Sequence, residues 1–287
     1  MKTVLSLLCA SVILFSACGT DNTLPEFKDK IAADETVNDN SGENDSGNGG
    51  TTPGKKLPVM GTYTRTGVNV EEISGICLNA DKTALLAVGD QGVLKEINLT
   101  SMTVKTIWTR DADMEAITLD PRTNDLYLGI EYSQKVYKLD APDYQKHSSI
   151  IYVQEAIDDG YNNSGVEGIA YYKDDLVFVG TQWGANLWIY KLDGTKVAKT
   201  SLSGFADEIA GLDYDPVENW LWVIDSNNKK IYLCDVVEKP FAVKRLATYD
   251  VSHISNAESI CVDRERGCVW GGSDESSPKL YKFSFTF

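Results

Sequence analysis

One short block of sequence returns five times between Glu72 and the C-terminus, and this repeat constrains the fold more than any other feature. Each copy opens an apolar segment that is followed by further apolar segments in the same order. The copies begin 41, 52, 43 and 48 residues apart. A period of about 45 residues, built of strands and turns, is typical of a β-propeller with one blade per copy. The five copies are Ser74-Gly-Ile, Glu115-Ala-Ile, Glu167-Gly-Ile, Ala210-Gly-Leu and Glu258-Ser-Ile.

Each copy except the last predicts four strands. Copy two is representative, because its short segments are rich in β-branched and aromatic residues and are separated by turn formers. Its four predicted strands are residues 114–120, 125–131, 135–140 and 148–154.

The fifth copy has only three such segments before the chain ends at Phe287. Residues 59–65 form a strand-like segment that precedes copy one and has no blade of its own. Pairing this segment with copy five closes the ring and removes exposed sheet edges. The sequence therefore predicts an all-β, five-bladed propeller of four-stranded blades closed by the N-terminal strand. A six-bladed ring is the alternative, although residues 51–70 are too few to supply another blade.

The N-terminal region predicts export and a tether. Residues 1–18 combine Lys2, an apolar run and small residues before Cys18, which resembles a bacterial lipoprotein signal peptide. We expect lipid attachment at Cys18 and a location in the bacterial cell envelope, anchored to a membrane. Ordinary secretion with cleavage near Ala17 is the alternative. Residues 19–57 are rich in Asn, Asp, Gly and Ser and predict a disordered tether, with the propeller occupying residues 58–287.

The charge balance limits the partners that we expect. The net charge is -15 and the isoelectric point is near 4.6. Nucleic acid is excluded as a partner because phosphate binding needs clustered lysine and arginine. The charge suits cations or solubility, and we expect a monomer. Cys261 and Cys268 are placed for a hairpin disulfide or for two small buried side chains, and the sequence leaves both open.

Carboxylates are predicted to collect on one face of the disc. In a propeller the first strand of each blade lines the channel and the second runs back, so the start of the first and the end of the second share a face. The ends of the second strands hold Asp90, Glu131, Asp225 and Asp274. Glu72 and Glu208 lie two residues before the motif position, and two residues along a strand keep a side chain on the same face, so every copy is predicted to place one carboxylate on a common side. The starts of the first strands hold Glu72, Glu115, Glu167, Glu208 and Glu258.

Two interpretations of these carboxylates remain open. Each glutamate can accept backbone N–H groups from the next blade and so hold the ring together. Alternatively, several carboxylates converge on a bound cation, because like charges about 4 Å apart repel by about 4 kcal/mol at a surface-like dielectric constant. Many hard oxygen ligands suit Ca²⁺ better than zinc or copper, so Ca²⁺ is the predicted cofactor.

Aromatic and histidine residues are further candidates for ligand contacts. Trp183, Tyr161 and Tyr132 fall in or beside loops at the acidic face, where they can stack on a glycan or a peptide. His253 lies in the predicted loop that enters copy five, and it is a candidate base or ligand. Packing between blades and solvation are the alternative explanations for these residues.

The five motifs together resemble the SdiA-regulated β-propeller family, over about residues 58–287. The resemblance implies an exported propeller that is linked with calcium response and is phytase-like, without a settled reaction. Copy four departs at Ala210, where the family has serine. The matching segments are Glu72-Ile-Ser-Gly-Ile76, Asp113-Met-Glu-Ala-Ile117, Gly165-Val-Glu-Gly-Ile169, Glu208-Ile-Ala-Gly-Leu212 and Ala257-Glu-Ser-Ile260.

The sequence favours a binding protein over an enzyme. It contains no Ser-His-Asp order and no Gly-x-Ser-x-Gly elbow. We expect a membrane-anchored propeller that binds a small molecule, a glycan or a protein on its acidic face with Ca²⁺. A Ca²⁺-dependent phytase-like phosphoesterase or lactonase is the alternative, and a scaffold without a small ligand is a third possibility.

Overall fold

The computed structural model describes residues 56–158 and 164–287. The signal peptide with Cys18, and the tether up to residue 55, lie outside the described residues. Tyr161 does so as well. Among the residues that are described, no helix is both long and apolar enough to cross a bilayer.

Five four-stranded antiparallel sheets make up the described chain. The N-terminal strand is β1 (Val59–Gly67). Blade one contains β2 (Gly75–Leu78), β3 (Ala84–Val88), β4 (Val93–Asn98) and β5 (Val104–Thr109). Blade two contains β6 (Met114–Leu119), β7 (Leu126–Ile130), β8 (Lys135–Leu139) and β9 (His147–Tyr152), followed by the short helix α1 (Gln154–Asp158).

The remaining blades repeat this order. Blade three contains β10 (Val166–Lys173), β11 (Leu176–Thr181), β12 (Asn186–Lys191) and β13 (Lys196–Ser201). Blade four contains β14 (Gly211–Asp215), β15 (Trp220–Asp225), β16 (Lys230–Glu238) and β17 (Phe241–Asp250). Blade five contains β18 (Ala257–Asp263), β19 (Cys268–Ser273) and β20 (Lys279–Thr286) together with β1.

The five blades close into a ring, and the predicted five-bladed propeller is confirmed. The inner strands β2, β6, β10, β14 and β18 each pack against the inner strand of the next blade, and β18 packs against β2. The strand β1 pairs antiparallel with β20 at the outer edge of blade five, so both ends of the propeller domain share one sheet. The six-bladed alternative is wrong for the described residues.

Apolar side chains fill the gap between each pair of neighbouring blades. Five buried clusters occupy the five gaps, because each sheet buries residues on both of its faces. Trp222 is fully buried in the gap between blades four and five, and its ring meets Phe285 edge to face with centroids 5.3 Å apart. Such edge-to-face pairs add to the stabilisation that burial provides.

Side chains of the inner strands connect adjacent blades at the end of the channel opposite the acidic face. The Asp213 carboxylate accepts the Val262 backbone N–H at 2.6 Å, and the Thr118 hydroxyl accepts the Tyr171 N–H at 3.0 Å. Both bonds join one blade to the next. Hydrogen bonds from the backbone of one blade to a side chain of the preceding blade therefore join the inner strands at this end of the channel.

Cys261 and Cys268 are buried thiols and do not form a disulfide. Strand register explains this, because Cys261 lies opposite Trp270 while Cys268 lies opposite Asp263. The two cysteines are thus not a directly facing pair. Of the two possibilities that the sequence left open, small buried side chains are the one observed.

Candidate functional site

Three β-bulges shape the mouth of the channel. The register between the first and second strands shifts between Met114 and Ala116, between Val166 and Gly168, and between Ala257 and Ser259. A bulge leaves one residue unpaired and re-aims its side chain. The unpaired residues are the motif glutamates Glu115, Glu167 and Glu258.

These glutamates face a cavity of about 210 Å³ at the mouth. Immediately beneath it, the free space between the inner strands has a volume of only about 10 Å³. Its lining includes five equivalent apolar side chains, which are Ile76, Ile117, Ile169, Leu212 and Ile260. The cavity is therefore open on one side and closed below by hydrocarbon. Its lining consists of Tyr132, Gln182 and seven acids, which are Asp90, Asp113, Glu115, Glu131, Glu167, Glu258 and Asp274.

Asp90 belongs to two groups of carboxylates that are close enough to share a cation. In each group one oxygen of every member lies within 4.8 Å of the others. The first group is Glu72, Asp90 and Asp274, and the second is Asp90, Asp113 and Glu115. The Asp90 carboxylate also accepts a hydrogen bond from the Ser74 hydroxyl at 3.0 Å, which orients it.

The buried glutamates at the base of the cavity hold protons more tightly than usual. Burial raises the pKa of Glu115 well above its ordinary value, and the nearby Glu167 and Asp90 carboxylates raise it further. The pKa of Glu167 is also raised well above its ordinary value, first by burial and then by Glu131. Both effects disfavour the charged form, and none of the described residues that line this cavity is cationic and able to compensate it.

The shallower carboxyls titrate closer to neutrality. Burial raises the pKa of Glu131 to about 7, and its carboxyl lies within hydrogen-bonding reach of the Asp113 and Glu167 carboxyls. Burial and then Asp274 raise the pKa of Glu258 to about 9, while burial and then Asp90 raise the pKa of Asp274 to about 6. Carboxyls in such contact need either a shared proton or a cation between them.

These shifts predict a pH dependence of stability for the metal-free protein. Each of these three carboxyls keeps its proton up to a higher pH in the folded state than in the unfolded state. The pKa rises from 4.5 to about 7 for Glu131, from 4.5 to about 9 for Glu258 and from 3.8 to about 6 for Asp274. Stability therefore falls as pH rises through this window. We expect a loss of about 2–3 kcal/mol after screening by solvent between pH 4.5 and 9, or about 5–10 °C in Tm.

Thermal unfolding in a chelator-containing buffer at several pH values measures this effect. A Tm that stays constant or rises between pH 5 and pH 9 would contradict it. The variant Glu131→Gln is expected to flatten the part of the curve below pH 7, because glutamine keeps the shape of the side chain but does not titrate.

Three of the nine predicted metal ligands do not line the central cavity, namely Glu72 at its rim and two residues of blade four, Glu208 and Asp225. The Glu208 carboxylate accepts the backbone N–H and the side-chain amide of Asn227 at 2.8 and 2.6 Å. The fully buried Asp225 accepts the backbone N–H groups of Asp207 and Asn228, both at 2.8 Å. These contacts hold the turns of blade four, so the coordination capacity of both side chains is already used by their own blade.

The expectation that Glu72 and Glu208 continue an inner strand is wrong. The strand β2 begins at Gly75 and β14 begins at Gly211, so both glutamates precede the strands and the alternation of side chains does not apply to them. Glu72 has a positive φ of 51° and accepts a hydrogen bond from the Gln91 amide at 2.8 Å. It reaches the Asp90 group from the rim, whereas Glu208 does not.

Asp113 also lines the cavity, although the sequence did not predict it as a metal ligand. Its Oδ1 atom is buried and has no hydrogen-bond partner. The signal that could have found it is the alignment of the copies, because Asp113 stands two residues before the motif position, as Glu72 and Glu208 do.

The predicted ligand-contact residues have different positions. Trp183 is 64% exposed and lines a second cleft of about 580 Å³, together with Gln182 and Glu208. The His253 ring stacks on Tyr63 with centroids 4.0 Å apart and is not among the residues that line the acidic cavity. Burial lowers the pKa of His253. Tyr161 lies outside the described residues.

Solved structures with the same fold come from functionally different proteins. Glutaminyl cyclase from Myxococcus xanthus matches with a TM-score of 0.58 and 12% identity, over 79% of this chain and 96% of that one. Luciferin-regenerating enzyme matches with a TM-score of 0.55 and 10% identity, over 78% and 95%. An auxiliary nutrient binding protein from Bacteroides thetaiotaomicron VPI-5482 matches with a TM-score of 0.52 and 12% identity, over 76% and 70%. At such identities the likeness establishes the fold alone.

The family assignment has a separate basis in sequence. No curated protein sequence matches this chain significantly. A sequence profile described as SdiA-regulated, however, matches residues 63–270, from within β1 to within β19. This protein therefore belongs to the SdiA-regulated family.

Proposed function

We propose that this propeller is a binding protein whose acidic mouth holds Ca²⁺ and, with it, an extracytoplasmic ligand. The observation that carries the proposal is the meeting of seven carboxyl groups around one cavity of about 210 Å³. Asp90 lies at the junction of the two groups that are spaced to share a cation. Hard, flexible carboxylate ligands in this number suit Ca²⁺.

A cation and protons would compete for the same oxygens. In the metal-free protein the raised pKa values of Glu131 and Glu258 relieve the repulsion between neighbouring carboxyls. A divalent ion relieves it more fully because its charge is larger and it can contact several oxygens at once. The buried, unpartnered Oδ1 of Asp113 fits this role, since an unsatisfied buried acceptor costs free energy that a cation would recover.

The envelope location is part of the same proposal. It rests on the signal-like residues 1–18 with Cys18 and on the polar stretch that follows them. A lipid-anchored propeller outside the cytoplasm would meet calcium at concentrations that suit a site of moderate affinity. Binding rather than hydrolysis is favoured because the described residues that line the cavity include no serine, threonine, cysteine, lysine or histidine.

Calcium titration of chelator-treated protein tests the proposal. At a calcium concentration 100 times the Kd, binding to the folded state adds about 2.7 kcal/mol. This corresponds to a Tm increase of about 5–10 °C. Calorimetry at pH 7 in two buffers with different ionisation enthalpies should also detect proton release, because Ca²⁺ displaces protons from Glu131 and Glu258.

The matched control is Asp193→Asn. Asp193 lies in the turn between β12 and β13 of blade three. Its carboxylate accepts the Thr195 N–H at 2.9 Å, and asparagine preserves that acceptor. This variant is expected to bind calcium like the parent protein. A calcium-independent Tm together with the absence of a calorimetric signal would refute the proposed function.

A further inference from the structure

The acidic cavity is the centre of a longer opening. It shares Asp90, Asp113 and Tyr132 with a groove of about 720 Å³ between blades one and two. On its other side it shares Gln182 with the cleft of about 580 Å³ that Trp183 lines. The three spaces therefore adjoin one another across the face of the disc. Such an opening accommodates an elongated molecule and is far larger than a cation alone requires.

Two exposed aromatic side chains stand at equivalent positions in this opening. Tyr132 follows the end of β7 and is 61% exposed, while Trp183 follows the end of β11 and is 64% exposed. The corresponding residues of the other copies are Gln91, Ser226 and Glu275, none of which is aromatic. The two flat rings therefore occupy equivalent positions on two neighbouring blades, Tyr132 on blade two and Trp183 on blade three.

The backbone around Trp183 holds its ring at the surface. A short 3₁₀ turn spans Trp183–Ala185, and its last two residues adopt positive φ values of 72° for Gly184 and 43° for Ala185. The Trp183 carbonyl accepts hydrogen bonds from the Thr181 hydroxyl at 3.2 Å and from the Asn186 amide at 3.5 Å. A large apolar side chain is thus presented to solvent by an ordered turn.

The polar groups between the two rings select the ligand chemistry. The central cavity offers carboxyl oxygens, and Gln182 and Asn227 add side-chain amides in the Trp183 cleft. Hydroxyl groups can donate to these acceptors without bringing charge, whereas the carboxyls of the cavity disfavour an anionic ligand. Among the described lining residues of the three spaces, Arg110 in the groove between blades one and two is the one cationic side chain. The negative faces of Trp183 and Tyr132 attract the weakly positive C–H faces of sugar rings. A ligand with alternating flat faces and hydroxyl edges meets both requirements.

We infer that the ligand of this mouth is a neutral oligosaccharide, with sugar rings stacked on Tyr132 and Trp183 and hydroxyls donating to the cavity carboxylates between them. The inference rests on the proposed function and adds the class of ligand. A cationic peptide satisfies the charge of the cavity and can place lysine or arginine side chains over the two rings, but under the proposed function the bound cation already supplies that charge. The observations therefore favour the sugar, and the peptide becomes an outcome of the test.

The experiment uses the full chain with calcium and a panel of neutral hexasaccharides of glucose, mannose, galactose and N-acetylglucosamine in α and β linkages. Tryptophan fluorescence and calorimetry report binding. At least one hexasaccharide is expected to bind, and Trp183→Ala should weaken that binding by at least about tenfold. The control Tyr152→Ala removes an aromatic residue that is 47% exposed on the outer strand β9 and lines none of the three spaces, and it should change the Kd by less than about twofold.

Three results would overturn the inference. The first is that no hexasaccharide binds at millimolar concentration. The second is that binding occurs but is unchanged in Trp183→Ala, and the third is that an oligolysine peptide binds in a Trp183-independent manner while the sugars do not. Calcium titration of the same samples separates this failure from that of the proposed function. Retained calcium binding without sugar binding rejects only the oligosaccharide, whereas lost calcium binding rejects the site itself.

Discussion

Replacing Asp90 with asparagine is expected to weaken calcium binding by about 100-fold, or about 2.7 kcal/mol. Asp90 is the residue that belongs to both carboxylate groups, so its substitution removes a charged ligand from each. Asparagine keeps an acceptor oxygen for the Ser74 hydroxyl, which now bonds to Asp90 at 3.0 Å. The local fold should therefore survive, and calorimetric titration with calcium measures the change in Kd.

The same substitution should raise the stability of the metal-free protein. The Asp90 carboxylate contributes to the raised pKa values of Glu115, Glu258 and Asp274, so removing its charge relieves repulsion in the cavity. A purely structural role for Asp90 predicts the opposite, namely a lower Tm in chelator. The two signs distinguish a ligand from a structural acid, and Asp193→Asn should change neither quantity.

Removing β1 should have the largest effect on folding. A chain that begins at residue 68 lacks the outer strand of blade five, which pairs with β20 from Val59–Thr286 to Gly67–Lys279. Its loss exposes the edge of β20 and uncovers Tyr281 and Phe283, which lie near Tyr63. Exposed strand edges promote aggregation. We expect this variant to lose its cooperative thermal transition or to accumulate as aggregates.

A chain that begins at Lys56 is the matched control for this truncation. It retains β1 and the bond from the Tyr249 hydroxyl to the Pro58 carbonyl at 2.7 Å. Its melting temperature should match that of a chain that lacks only the predicted signal peptide, residues 1–18. If the chain without β1 melts as cooperatively as this control, closure by the N-terminal strand is not required for stability.

The blade architecture was readable from the sequence because it depends on local patterns. Alternating apolar residues and turn formers recur in register with the Ser74, Glu115 and Glu258 motifs, and their boundaries agree with the observed strands to within about two residues. Closure was also predictable, because three strands in copy five and one unassigned strand at the N-terminus leave a single way to complete a sheet.

The site was only partly predictable, since its geometry depends on backbone irregularities that carry little sequence signal. Glu115 and Glu208 both lie at the entrance of an inner strand, yet Glu115 is the unpaired residue of a bulge and faces the cavity. Glu208 precedes its strand and accepts hydrogen bonds from Asn227. Asp113 also precedes its strand, but it joins Asp90 of the preceding blade and Glu115 in one group of carboxylates.

The sequence by itself determined how many blades form and which segment closes them, because strand formation and repetition follow from near neighbours along the chain. Only the tertiary structure decided which carboxyls share a cavity, which of them hold protons, and which are occupied by their own turns. Those properties arise from charges and oxygens brought together across the ring, and electrostatic interaction depends on distance and burial rather than on order in the chain.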